Sequence, residues 1–368
     1  MIEDVLLGPV QLGEIALGNR IVMAPMTRSR ADVDDAPTAL TVEYYRQRAS
    51  AGLIIAEGTQ PSPNGKGYLR TPGIHSERQI SAWRAVTDAV HREGGSIVLQ
   101  IMHVGRIASR LNKASDAETV APSAITAAGQ MITDTGMVDF DPPRALETGE
   151  IPSVIEEFAR AAVNARAAGF DGVELHCTSG YLPSQFLSSN TNRRTDQYGG
   201  SATNRIRFVV ETLEAMAAAV GAGRVGFRIC PGHPFNDIHD DDPAETYTRL
   251  LEAAAPLGLA YLHLIDVANP QVDSLALVRR NWSGNLILNE SMTPARAENL
   301  LQEGVANAIS FGRAFIANPD LVSRLVNNAA LADFNPDTVY TPGPEGYIDY
   351  PPFASNVEAT ANEATNTL

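Results

Sequence analysis

Eight short apolar runs recur along the chain, and most carry no alternation of polar and apolar positions. They are RIVMAPMT (20–27), AGLIIAEGT (51–59), SIVLQIMH (96–103), DGVELHC (171–177), RVGFRICP (224–231), LAYLHLID (259–266), NLILNES (285–291) and NAISFGRAF (307–315). Strands covered on both faces read this way, whereas a strand with one wet face alternates. Between the runs lie segments rich in Ala, Leu, Glu and Arg. SERQISAWRAVTDAVHREGG (76–95) opens on a serine able to cap a helix and closes on Gly-Gly, a start and a stop. IPSVIEEFARAAVNARAAGF (151–170) and TPARAENLLQEGV (293–305) repeat that grammar. Eight strands alternating with helices predict a single (β/α)8 TIM-barrel domain over residues 1–368. The competing reading, a two-domain doubly wound sheet, wants a G-x-G-x-x-G turn after an early strand, and the chain has none.

Three segments stand outside the alternation. LLGPVQLGEIALGN (6–19) predicts a short hairpin that plugs the N-terminal mouth of the barrel. Residues 104–150, rich in Gly, Pro, Ser and Thr, form an excursion after the third strand, too long to be a mere connection. The polar tail from 353 to 368 is expected to be poorly ordered. A hydrophobic content of 44% with 19% charged residues describes a globular chain with a large core. A net charge of −15 argues against nucleic acid or an anionic membrane as partner, because both require a basic face. No run of about 18 apolar residues and no signal pattern is present, so a cytoplasmic protein, monomer or homodimer, acting on a small molecule is expected. Cys177 and Cys230 supply neither a disulfide framework nor a metal spacing.

In this architecture chemistry sits at the C-terminal ends of the strands. The residues falling there include Thr27, Gly58, Gln100, His103, His176, Arg228, Asp266, Asn289, Glu290, Gly312 and Arg313. The stretch VELHCTSGYLPSQF (173–186) follows a buried strand at once with His176, Ser179 and Tyr181. Arg228 lies inside a strand between Phe227 and Ile229, where an unpaired cation is costly. It is either half of a buried ion pair or a fixed charge facing an electron-rich ligand. Gly312-Arg313 at the end of the last strand matches the place where barrels bind phosphate. His75 and His103 have no Asp, Glu or Cys at ligand spacing, so no metal is expected. Cys177 points away from the site by strand alternation. The acidic run NDIHDDDPAE (236–245) reads as a solvated loop and helix start bordering the cavity mouth.

The motifs LGNRIVMAPMTRSRA, KGYLRTPGIHSERQISAW, VLQIMHVGR, AGFDGVELHCTSGYLPSQFLSSNTNRRTDQYGGSATNR, FGRAFIANPDL and GPEGYIDYP resemble, in order and spacing, those of the Old Yellow Enzyme family of FMN-dependent ene reductases. The resemblance implies non-covalent FMN, NADPH or NADH as hydride donor, and reduction of activated C=C bonds in α,β-unsaturated carbonyls, nitroalkenes and maleimides. A specialised biosynthetic reductase or isomerase, or a nitro or nitrate-ester reductase, is the alternative within the same flavin chemistry. Residue by residue, the resemblance puts Thr27 at flavin O4, Gln100 at the pyrimidine edge and Arg228 at N1 and O2. Pro25, Met26 and Gly58 correspond to backbone contacts with the ring system. Gly312 and Arg313, with the amides of Asn289, Glu290 and Ser291, correspond to the phosphate site. His176 and Ser179 occupy the positions that grip the substrate's oxygen, and Tyr181 that of the proton donor. Tyr68, Met102 and Tyr340 correspond to substrate-lining positions. Three residues depart from the family pattern: Ser179 replaces His or Asn, Glu290 stands where Gly or Ala is common, and Met102 stands in place of a tryptophan.

Overall fold

The computed structural model describes residues 5–353, so the tail expected to be poorly ordered lies almost wholly outside the described residues. Eight parallel strands close into a barrel: Ile21–Met23, Leu53–Thr59, Ile97–Ile101, Gly172–His176, Val225–Ile229, Tyr261–Ile265, Leu286–Asn289 and Ala308–Phe311. They are called the first to eighth strands below. Each falls inside one of the eight apolar runs, and the doubly wound alternative is excluded by closure. Every residue of the first five strands is buried, as a barrel wall between core and helices requires.

Two apolar layers lie on either side of that wall. Outward-facing Ile54, Leu99, Leu175, Phe227, Leu264 and Leu288 join the helices in the main core. Inside, at the N-terminal end, Val22, Leu53, Val98, Tyr261 and Ile287 meet Leu12, Ile15 and Leu17 of an antiparallel hairpin, Val10–Leu12 with Ile15–Leu17. The hairpin therefore closes the bottom of the barrel, as its sequence suggested.

The helices start where their side chains can satisfy the first amides. Ser76 Oγ accepts from Gln79 N while the Gln79 carboxamide accepts from Ser76 N, a reciprocal cap on helix Glu77–Arg92. Thr293 and Asp242 cap helices Pro294–Gln302 and Pro243–Ala254 through Arg296 N and Glu245 N. The stretch 104–150 contains a two-stranded hairpin, Gln130–Thr133 with Met137 opposite Ile132, and a short parallel pairing of Val120–Ala121 with Arg144–Ala145. Asn112 ties it down by donating to Gly67 O and Ile132 O, both at 3.0 Å.

Candidate active site

Above the plug the barrel interior becomes polar. In the fourth strand Glu174 and His176 point inward; Glu174 lies opposite Gln100 and His176 opposite Arg228. Glu174 accepts from Gln100 Nε2 at 2.8 Å and pairs with His263 Nδ1 at 2.9 Å, and His263 Nε2 reaches Ser310 Oγ at 2.8 Å. All four side chains are buried. Burial and the Arg228 charge hold His263 below the usual imidazole range, so as a neutral ring it donates from Nδ1 to Glu174 and accepts at Nε2 from the Ser310 hydroxyl. Such a fully bonded layer makes a rigid floor. Gln100 stands out from the sequence as a site residue, whereas Glu174, His263 and Ser310 do not. Their signal was present: polar residues at alternate, inward positions of otherwise apolar strands.

Arg228 rises from that floor. Its Nη2 donates to Asn289 Oδ1 at 2.9 Å, and Asn289 Nδ2 donates to Ser310 O at 2.9 Å. Its Nε has no partner although it is buried. Among the described residues no carboxylate lies within salt-bridge distance of this guanidinium, so a buried ion pair does not account for it. Glu174 supports the charge from a distance against the cost of burial. The guanidinium borders a cavity of about 330 Å³ that also brings together Pro25, Met26, Asn289, Glu290, Ser291, Gly312 and Arg313. Eight of the eleven residues singled out for a cofactor meet there.

Glu290 and Ser291 have φ of +98° and +49°, and Ser291 Oγ donates to Glu290 Oε1 at 3.0 Å. Arg296 Nη1 donates to Glu290 O at 3.2 Å. Glu290 itself lines the cavity beside Arg228. Of the other three residues, Thr27 sits half-buried in the loop after the first strand, Gln100 is spent partly on Glu174, and Gly58 lies against Met102. A Cβ at Gly58 would meet Met102 Sδ at 2.7 Å, so the glycine leaves room for that thioether. Met102 thereby packs down on the second strand.

The second group gathers at the end of the fourth strand. His176 is buried, its Nδ1 has no partner, and its ring lies 5.1 Å from that of Tyr181. Burial, Arg228 and His263 push the imidazole well below its usual pKa, which leaves a neutral ring. The hydroxyls of Tyr181 and Tyr68 are 3.1 Å apart. Burial, with Tyr68 and Tyr340 nearby, pushes the Tyr181 phenol well above the usual value. Tyr340 is 59% exposed and stands at the rim.

Ser179 is not joined to His176 or Tyr181 by any hydrogen bond among the described residues. It adopts φ of +61°, its carbonyl accepts from Asn236 Nδ2 at 2.8 Å, and it lines a smaller cavity with Cys230 and His233. The acidic run is not simply solvated: Asp240 is buried in an ion pair with Arg205 at 3.0 Å, and Asn236 Nδ2 is held by Ser179 O. Cys177 and Cys230 are free and buried, and no cluster of three or more metal-ligating side chains forms among the described residues. No described helix is long and apolar enough to cross a membrane.

A barrel whose C-terminal mouth sets a buried arginine without a contacting acid on one cavity with Gly312 and Arg313, next to a neutral histidine and a tyrosine pair, defines a flavin oxidoreductase. Residues 5–332 match the NADH:flavin oxidoreductase / NADH oxidase family, and the chain belongs to that family, the Old Yellow Enzyme family of its motifs. It is 40% identical over 358 residues to 12-oxophytodienoate reductase 1 of Oryza sativa subsp. japonica, covering 94% of this chain and 92% of the relative. It is 41% identical to a probable flavin mononucleotide-dependent alkene reductase of Leishmania infantum, covering 95% and 97%. Among solved structures, a morphinone reductase variant in complex with tetrahydroNAD superposes with a TM-score of 0.91 at 43% identity, over 96% of this chain and 99% of that one. The old yellow enzyme homologue of Zymomonas mobilis gives 0.92 at 39% identity, over 95% and 99%.

Proposed function

We propose that this protein is an FMN-dependent ene reductase that draws hydride from NADPH or NADH and reduces an activated alkene at the mouth of the barrel. The observation that carries the reading is Arg228: a buried cation with an unpartnered Nε, bordering the cavity of about 330 Å³ and with no acid in contact. A guanidinium there suits the electron-rich edge of a flavin, and Gly312 and Arg313 on the same cavity suit its phosphate. FMN, when bound, would supply hydride to an activated alkene.

The remaining work falls to side chains. Arg228 holds positive charge at the cofactor's edge. Arg313, with the backbone of Gly312 and of Asn289, Glu290 and Ser291, holds the phosphate. His176, kept neutral, offers one N–H to the substrate's electron-withdrawing oxygen and polarises the double bond. Tyr181 keeps its proton at neutral pH and delivers it to the α-carbon. Tyr68, Met102 and Tyr340 bound the space above. Two buried free cysteines fit a reducing, cytoplasmic setting.

The test uses purified protein. It should be yellow, bleach anaerobically with NADPH or NADH, and recover its colour on adding cyclohexenone. Arg313→Ala should lose FMN on gel filtration. Tyr181→Phe should reduce normally with nicotinamide but reoxidise with the enone at least tenfold more slowly. A colourless protein that takes up no FMN on reconstitution refutes the assignment.

A further inference from the structure

Six of the eight strands each give one buried side chain to a single hydrogen-bonded chain. It runs from Gln100 of the third strand to Glu174 of the fourth, His263 of the sixth and Ser310 of the eighth, over links of 2.8, 2.9 and 2.8 Å. From Ser310 O it returns through Asn289 of the seventh strand to Arg228 of the fifth, each link 2.9 Å. The chain has two depths. Gln100, Arg228 and Ser310 are next to last in their strands and Asn289 is last, so all four reach the C-terminal mouth. Glu174 and His263 sit mid-strand, one layer further in. Arg228, Asn289 and Ser310 line the cavity with Gly312 and Arg313.

Glu174 is the only acid in this chain, and that fixes which way the hydrogen bonds around it run. A carboxylate accepts and does not donate, so Gln100 turns its NH2 to Glu174 Oε1. A flipped amide would set two oxygens 2.8 Å apart. Gln100 Oε1 is left as a free acceptor, with no hydrogen bond among the described residues. Glu174 Oε2 takes the Nδ1 hydrogen of His263, so Nε2 accepts from Ser310. At the far end Arg228 keeps an unpartnered Nε–H, a free donor. The chain thus carries one negative and one positive charge, with neutral groups between them.

We infer that Glu174 is a positioning residue for the cofactor: it turns Gln100 to present an acceptor to the flavin's pyrimidine edge, and its charge opposes that of Arg228 in setting how readily the cofactor takes electrons. The inference rests on the reading of this cavity as a flavin site. The pyrimidine edge of a flavin carries an N–H between two carbonyls, so it calls for an acceptor with a donor beside it. Gln100 Oε1 is such an acceptor and Arg228 such a donor. Without the carboxylate the Gln100 amide is free to flip, and N–H would then confront N–H.

The experiment uses the full-length FMN-loaded protein. FMN release on dilution, read as recovered flavin fluorescence, gives the Kd, and a reference-dye titration gives the midpoint potential. Glu174→Gln removes the charge and lets the Gln100 amide flip. Glu174→Asp keeps the charge, but its shorter side chain does not span both partners. Each variant should raise the Kd for FMN about tenfold, the cost of one buried hydrogen bond left unmade. The potential should rise in Glu174→Gln and stay near wild type in Glu174→Asp, because reduction adds negative charge beside a carboxylate that only the first variant lacks. In a Gln100→Ala background, Glu174→Asp should weaken FMN less than about twofold further. Should the glutamine variant fail to fold, the aspartate variant and that double variant decide the matter. A Kd unchanged in both variants overturns the inference alone. So does an aspartate effect that persists in full without Gln100, or a raised Kd with an unmoved potential in Glu174→Gln, which a merely structural acid would give. Wild-type protein that takes up no FMN overturns the flavin reading and the inference with it.

Discussion

At Arg228 the choice between structure and chemistry is measurable. A structural cation would have an acid in contact; this one has Asn289 Oδ1 and a bare Nε. Arg228→Met keeps length and removes charge, so reduction by NADPH should slow and the flavin potential fall. An unchanged potential with lowered stability would mean the residue is only a strut. His176 and Ser179 divide less evenly than their spacing suggests. Ser179 turns its carbonyl to Asn236 and borders a separate cavity, while His176 lies against Tyr181. His176→Ala should therefore raise the Kd of a phenolic ligand about tenfold, the cost of one hydrogen bond to a partly charged oxygen, and Ser179→Ala should barely change it. Equal losses would make Ser179 a full partner. Neither the Asn236 bond to Ser179 nor the Glu174–His263 pair was singled out from sequence. The second left a signal, inward polar residues in apolar strands. The first left none, because it depends on left-handed backbone and on Arg106, which is 130 residues away in sequence.

The elements were far more legible than the contacts between their tips. A strand buried on both faces is apolar at nearly every position, so all eight showed as runs, and the helices between them carried their own caps. The hairpin at Gln130–Asp139 left no such trace. One of its strands alternates exposed and buried, the other is half-buried at best, and Ile132 and Met137 face solvent. Cap chemistry makes a prediction at this scale. Ser76 and Gln79 satisfy each other's amides at the start of helix Glu77–Arg92, whose Trp83 and Val86 are fully buried. Ser76→Ala should cost about 1 kcal/mol, read as a lower urea midpoint at unchanged slope. Activity should not move, since Ser76 and Gln79 bond each other and nearby loop atoms, His75 N and Asp34 O, and no residue of the site. An unshifted midpoint would show that the Gln79 side chain alone suffices as the cap.

Across the whole molecule, the C-terminal segment is bound to the start of the barrel through buried arginines. Arg28 donates to Gly346 O at 2.7 Å and Arg30 to Thr338 O at 2.7 Å, while Arg48 reaches Phe315 O and Ile316 O, each at 2.9 Å. Tyr44 and Tyr347 stack at 4.2 Å among these cations. This clamp carries Tyr340 to the rim of the site. Beneath it Glu57 accepts from Arg28 N at 3.2 Å and from the Tyr45 hydroxyl at 3.4 Å, and burial pushes its carboxyl up to about 7 despite the nearby guanidinium groups. A carboxyl whose folded pKa exceeds its unfolded value binds its proton more tightly when folded. Its contribution is therefore fully present below about 4.5 and is lost as pH rises to about 7. The net charge of −15 also favours lower pH through reduced self-repulsion, so the wild-type slope alone cannot isolate Glu57. Glu57→Gln leaves that background nearly intact and removes the titration. The stability difference between wild type and Glu57→Gln, measured by denaturant unfolding from pH 5 to 8, should shift toward the variant by about 2–3 kcal/mol as pH rises. A difference that stays flat across that range would show that Glu57 is ionised throughout and that the clamp's cations, not burial, set its charge.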